Sequence, residues 1–225
     1  MKNILAFGDS IIKGVSYQDD QYHLLQERFT SILEENLNIH IENKGQMGNT
    51  ISRLDKAICR SEKYLQSTEY DTILLLFGGN DCDYDWQNIS EMPLAEHRCK
   101  TVPEVFIDEY IKGINHLKEF NKQIYLLSLP PIDAHKYFNF ITRGRNSQLI
   151  LDWLQGDISL LMHWHEMFNL LVFKVGSLAG VPVLDITSCF LSTPNYTRLL
   201  CDDGIHPNSA GHRLIASAIA GCSPF

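Results

Sequence analysis

Short apolar runs alternate along this chain with longer segments of helical period. Residues 4–7 read as a first strand, and Tyr22, Leu25, Phe29, Ile32 and Leu33 then recur on one helical face. Residues 39–42 form a weaker second strand. The run Thr-Ile-Leu-Leu-Leu-Phe at 72–77, closed by Gly78-Gly79, has the continuous apolar character of a strand buried on both faces. Phe106, Tyr110, Ile114, Leu117 and Phe120 make another amphipathic stripe, followed by a strand at 124–128 and the breakers Pro130-Pro131. Residues 147–179 are helical in pattern with an interruption near Gly156, 182–185 is the last strand, and 208–220 the closing helix. Five rounds of strand and helix predict an α/β domain: a three-layer α/β/α sandwich with a flavodoxin-like parallel sheet of about five strands. No linker, composition shift or repeat divides the chain, so residues 1–225 read as one domain. Residues 82–101 fit neither element, and connections of that length tend to carry function or small structure of their own.

Composition narrows the possibilities. Of 225 residues, 44% are apolar and 20% charged, which excludes a disordered chain. The formal net charge of −8 argues against nucleic acid, whose phosphates call for clustered Lys and Arg. No apolar run reaches the ~20 residues that span a bilayer. The apolar start of the chain ends at Gly8, short of the ~7–15 residues of an export signal. Six scattered cysteines without a Cys-x-x-Cys pair then read as free buried thiols, and the expected location is the cytoplasm.

In open α/β sheets ligands bind beyond the carboxyl ends of the strands. The segments in that position are Phe7-Gly8-Asp9-Ser10, the loop from Asn43 through Gly48 to Thr50, Gly78-Gly79-Asn80-Asp81, and Asp202-Asp203-Gly204-Ile205-His206-Pro207-Asn208. Together they hold the parts for acyl transfer. A serine hydroxyl needs an adjacent base, and imidazole titrates in the right range. Pro207 biases His206 toward an extended conformation, and Asn208 or Ser209 can cap the last helix. Asp203 can turn back across Gly204 to orient the ring. The backbone N–H groups of Ser10 and Gly48 and the amide of Asn80 are candidate donors to an oxyanion; loss of one such donor costs ~2.7–4 kcal/mol.

These blocks resemble those of the GDSL, or SGNH, family of esterases and lipases: Phe7-Gly8-Asp9-Ser10-Ile11, with Ile11 where Leu is usual, then Gly48, Gly78-x-Asn80-Asp81, and Asp203-x-x-His206-Pro207. The resemblance implies Ser10 as nucleophile, His206 as base, Asp203 as its partner, and Ser10, Gly48 and Asn80 as the oxyanion hole. It implies hydrolysis of a small-molecule carboxylic ester; short-acyl or acetyl esters are favoured because the chain offers no long amphipathic anchor for a membrane surface, and neither cofactor nor metal is expected. The alternative is a non-catalytic module on the same scaffold that binds an acylated sugar or small ester. Oligomeric state is not legible.

Other residues invite sharper readings than they support. Asp9 reads as a brace of the tight turn, and Asp203 is preferred over Asp202 by its spacing to His206. His163 and His165 point to nearly opposite faces of a helix and cannot share an ion. Tyr84 and Trp86 are expected to overhang the site. Arg143 and Arg145 could grip an anionic substrate group, or be ordinary surface arginines, and Cys82 could line the pocket.

Overall fold

A computed structural model describes residues 3–222. Its strands are β1 (Asn3–Gly8), β2 (Val15–Gln18), β3 (Gln21–Leu24), β4 (His40–Asn43), β5 (Tyr70–Leu76), β6 (Gln123–Leu127) and β7 (Val183–Leu184). Five of them form one parallel sheet in the order β4-β1-β5-β6-β7, the expected flavodoxin-like winding. The central strands are apolar throughout because both faces are covered; Ile4 to Ala6 and Ile73 to Leu76 are wholly inaccessible. One layer contains the helices Leu54–Arg60, Pro103–Lys118 and Leu160–Ala179, packed on one another; the other pairs Phe29–Leu37 with Ser209–Cys222. Phe106, Tyr110, Ile114 and Leu117 bury the predicted stripe of Pro103–Lys118.

The region around Tyr22 corrects the sequence reading. The expected helical face spanning Tyr22 to Leu33 is divided: β2 and β3 form an antiparallel hairpin, and the helix begins only at Phe29. Asp19 and Asp20 have φ of 52° and 60°, the two left-handed residues of a tight turn whose twist suits a hairpin. Tyr22 and Leu24 are exposed on that hairpin, whereas Phe29 and Leu33 are buried. The helical run at 147–179 does break near Gly156, into Ser147–Trp153 and Leu160–Ala179, with Gln155 and Gly156 both at positive φ.

A second, smaller apolar cluster stands beside the main core. Trp86, Ile89, Ile132, Tyr137, Ile141, Ile150, Leu154 and Leu161 join the helices Trp86–Glu91, Ala134–Ile141 and Ser147–Trp153 to the start of Leu160–Ala179. Residues 82–101 therefore carry a short helix, started by Asp85, whose carboxylate accepts the N–H of Asn88. The cysteines differ from the expectation of burial. None is in a disulfide, but Cys59 and Cys222 are exposed, and only Cys82 and Cys201 are buried. The ends of the single-domain span, residues 1–2 and 223–225, lie outside the described residues.

Candidate active site

The turn after β1 is built for close approach. A Cβ on Gly8 would stand 2.5 Å from both Leu76 O and Ile12 Cγ1, so only glycine lets the chain turn against β5 here. Asp9 caps the short helix Ser10–Lys13 by accepting the N–H of Ile11 at 2.8 Å. Burial pushes the Asp9 carboxyl up to about 7, against the lowering effects of that backbone bond and of His206. Ser10 is the first residue of the helix and only 6% exposed.

His206 arrives from the opposite end of the chain on a loop tied at several points. Cys201 N–H donates to the His206 carbonyl at 2.8 Å, and Asp133 N–H to the Gly204 carbonyl at 2.8 Å. Gly204 has φ +76°, and a Cβ there would lie 2.6 Å from both Asp133 O and Tyr137 N; its absence lets the loop press against the helix Ala134–Ile141. Asn208 Oδ1 accepts the N–H groups of Ala210 and Gly211, starting the last helix.

These supports bring Ser10, His206 and Asp203 into one hydrogen-bonded chain. His206 Nε2 lies 2.8 Å from Ser10 Oγ, and His206 Nδ1 lies 2.5 Å from Asp203 Oδ2. Asp203 is fully buried and its Oδ1 accepts the backbone N–H groups of Ile205 and His206. A carboxylate so occupied by donors is an acceptor toward the ring as well, which assigns the proton to Nδ1 and leaves Nε2 open to the serine hydroxyl. Asp202 is exposed, and the ion pair of His206 is with Asp203.

Gly48 and Asn80 line the same cavity as Ser10 and His206, a space of about 440 Å³. Their loops are laced to the strand ends. Gln46 N–H and Asn49 Nδ2 both donate to the Gly8 carbonyl, at 3.1 Å each. Asp81, next to Asn80, accepts Ile51 N–H at 3.0 Å and Thr101 Oγ1–H at 2.7 Å, so one buried carboxyl ties three segments together. Its burial raises it to about 6. The sequence reading named Asp81 only as part of a motif; its bracing role is visible only once Thr50-Ile51 and Thr101 are seen to fold over it.

The cavity wall contains residues expected there, Cys82, Tyr84 and Trp86, and others that sequence reasoning placed elsewhere or passed over, among them Tyr22, Tyr137 and His165. Tyr22 sets its ring edge-on to His206, with centroids 5.7 Å apart. Trp86 is buried, donating Nε1–H to Asp83 at 2.8 Å and to Tyr137 Oη at 3.2 Å, and it lines the cavity with Tyr84 and Cys82. His163 is exposed and His165 is buried, as a helix requires, but His165 faces the cavity next to Gly79, and its Nδ1 has no hydrogen-bond partner. Among the described residues, no group of three or more His, Cys, Asp or Glu side chains is arranged to hold a metal ion, and no helix is long and apolar enough to cross a membrane.

A parallel sheet between two helical layers, with a cavity at its strand ends lined by aromatic, aliphatic and a few polar side chains, defines the class first: a three-layer α/β/α fold. The chain belongs to the GDSL-like lipase/acylhydrolase family, whose model matches residues 6–214, and is by that membership a carboxylic ester hydrolase. Among solved structures, the lipase/acylhydrolase from Enterococcus faecalis superposes with a TM-score of 0.66 at 17% identity, covering 98% of this chain and 94% of that one. The acetylxylan esterase Axe2 from Geobacillus stearothermophilus gives 0.67 at 19% identity, over 99% and 94%. The enzyme LAE5 from the metagenome of Lake Arreo gives 0.67 at 20% identity, over 98% and 94%. At these identities the likeness is one of fold. No curated protein matches the chain.

Proposed function

We propose that Ser10 is the nucleophile of this ester hydrolase, His206 its general base and Asp203 the residue that orients the imidazole. The reading rests on one observation: a buried Ser10–His206–Asp203 chain with links of 2.8 and 2.5 Å, open to a cavity at the sheet edge. As Ser10 Oγ bonds to the acyl carbon, its proton passes to His206 Nε2. The charge on the carbonyl oxygen is met by the N–H groups of Ser10 and Gly48 and the amide of Asn80. His206 returns the proton to the departing alcohol, leaving an acyl-Ser10 ester. A water molecule then gives up a proton to His206, attacks the acyl carbon and releases the acid, and His206 reprotonates Ser10.

The substrates in this proposal are short-acyl or acetyl esters of small molecules. The acetylxylan esterase among the structural neighbours is one protein of this fold described by such an activity. Six unpaired cysteines fit a reducing, cytoplasmic setting, and one sheet with its flanking layers fits a single domain over 1–225. Ser10→Ala tests the assignment. Hydrolysis of short p-nitrophenyl esters is expected to fall at least about 10³-fold. Because Ser10 is buried and bonded to His206, the variant is expected to lose about one hydrogen bond's worth of stability, ~1 kcal/mol. Turnover at the parent rate would remove Ser10 from the mechanism.

A further inference from the structure

The cavity that holds Ser10 and His206 has three Lys or Arg side chains on its wall: Lys100, Arg143 and Arg145. Two are neutralised within the protein. Lys100 Nζ donates to Asp83 Oδ2 at 2.7 Å, and Arg143 pairs with Asp20 while donating to Tyr17 Oη at 2.8 Å. Asp83 is further saturated by Trp86 and Tyr137.

Arg145 is different. It has no carboxylate partner among the described residues. Its one hydrogen bond, from Nη1 to the Ile141 carbonyl at 2.8 Å, ties the side chain to the end of the helix Ala134–Ile141 without neutralising it. Its Nε is buried and has no partner at all. A guanidinium partly withdrawn from water with no carboxylate beside it is costly, and that cost is tolerated where a ligand in the cavity that Arg145 lines brings the compensating anion. The chain as a whole carries −8, so a local positive site is what an anion would need in order to enter this cavity.

On the reading that Ser10 and His206 hydrolyse esters, we propose that the substrate carries a carboxylate and that Arg145 receives it. One uncompensated cation matches one monoanion, and the planar guanidinium presents paired donors to a planar carboxylate. The carboxylate lies on the acyl or the alcohol side of the ester, and two substrate pairs separate these cases. Mono-p-nitrophenyl succinate is compared with p-nitrophenyl methyl succinate for the acyl side. Then 3-acetoxybenzoate is compared with 3-acetoxybenzamide for the alcohol side.

In one of the two pairs the parent enzyme is expected to prefer the carboxylate by about tenfold or more in kcat/KM, mainly through KM, the worth of a charge-assisted hydrogen bond. The preference shrinks as ionic strength rises. Arg145→Gln abolishes it and Arg145→Lys keeps part of it. Should Arg145→Gln fail to fold, the parent's own preference and its salt dependence decide. Equal use of charged and neutral esters in both pairs, or a preference that survives Arg145→Gln, overturns the proposal. Neutral-ester hydrolysis that depends on Ser10 but shows no charge preference strikes only this inference. Loss of all ester hydrolysis in the parent, or hydrolysis indifferent to Ser10→Ala, strikes the underlying reading as well.

Discussion

Asp203 and His206 are joined twice: Asp203 Oδ1 accepts the backbone N–H of His206 at 3.1 Å while Oδ2 accepts its Nδ1–H at 2.5 Å. The same carboxylate thus shapes the loop and fixes the ring, so loop conformation and tautomer are set together. Asp203→Asn keeps the size of the side chain but turns a donor toward one of these N–H groups. Its kcat is expected to fall by about 10³–10⁴-fold. Asp202→Asn, one residue away and exposed, is expected to stay within about twofold of the parent, as surface changes do. Steady-state kinetics on both variants make the comparison; equal losses would contradict the assignment of Asp203.

Trp86 connects the small apolar cluster to the cavity. Trp86→Ala removes a buried indole that packs near Tyr137 and Trp153, and a loss of about 3–5 kcal/mol in stability is expected. Trp86→Phe retains most of that packing while releasing Asp83 and Tyr137 from the Nε1–H bond. Across esters of graded acyl length, both variants are expected to change the order of kcat/KM values. A profile with unchanged order in the well-folded Phe variant would remove Trp86 from substrate selection.

A pH effect on stability is expected from His212, in the last helix, Ser209–Cys222. It is fully buried, stacks on Phe29 at 5.9 Å, and its Nδ1 accepts the Phe29 N–H at 3.2 Å. Burial pushes it down to about 3, so the folded protein keeps it neutral where the unfolded chain would protonate it. Below about 6.5 the unfolded state binds the extra proton, and stability falls as pH falls; the contribution lost between pH 7 and pH 5 is about 2 kcal/mol. Urea unfolding of the parent and His212→Gln at several pH values measures this. The parent should lose more stability than the variant on acidification; parallel curves would contradict it.

The parts of this molecule that follow from local chemistry were legible along the chain. Residues 72–77 announce a buried strand by unbroken apolar character. The spacing Asp203-x-x-His206-Pro207 describes a turn that could return a carboxylate to a ring, and the structure has that turn. The hairpin at β2 and β3 was not legible, because Tyr22, Leu25 and Phe29 happen to keep a helical period across it. The turn pair Asp19-Asp20 was the available signal. Tyr84 and Trp86 were expected at the site and do line the cavity, but the share of its wall that comes from Tyr137 and His165 was hidden for another reason. These residues come from separate helices, Ala134–Ile141 and Leu160–Ala179, and only tertiary packing decides that they share one space with Trp86. The pairing state of Arg145 against Arg143 and Lys100 is likewise a property of contacts between distant segments.

The proposed hydrolysis depends above all on an activated hydroxyl at Ser10. Incubation with a fluorophosphonate, followed by mass spectrometry of the digested protein, measures that directly. The expected result is one adduct, on the peptide containing Ser10, formed in the parent and strongly slowed in a His206→Ala variant. An enzyme that hydrolyses esters yet leaves Ser10 unmodified, or is labelled equally fast without His206, would contradict it.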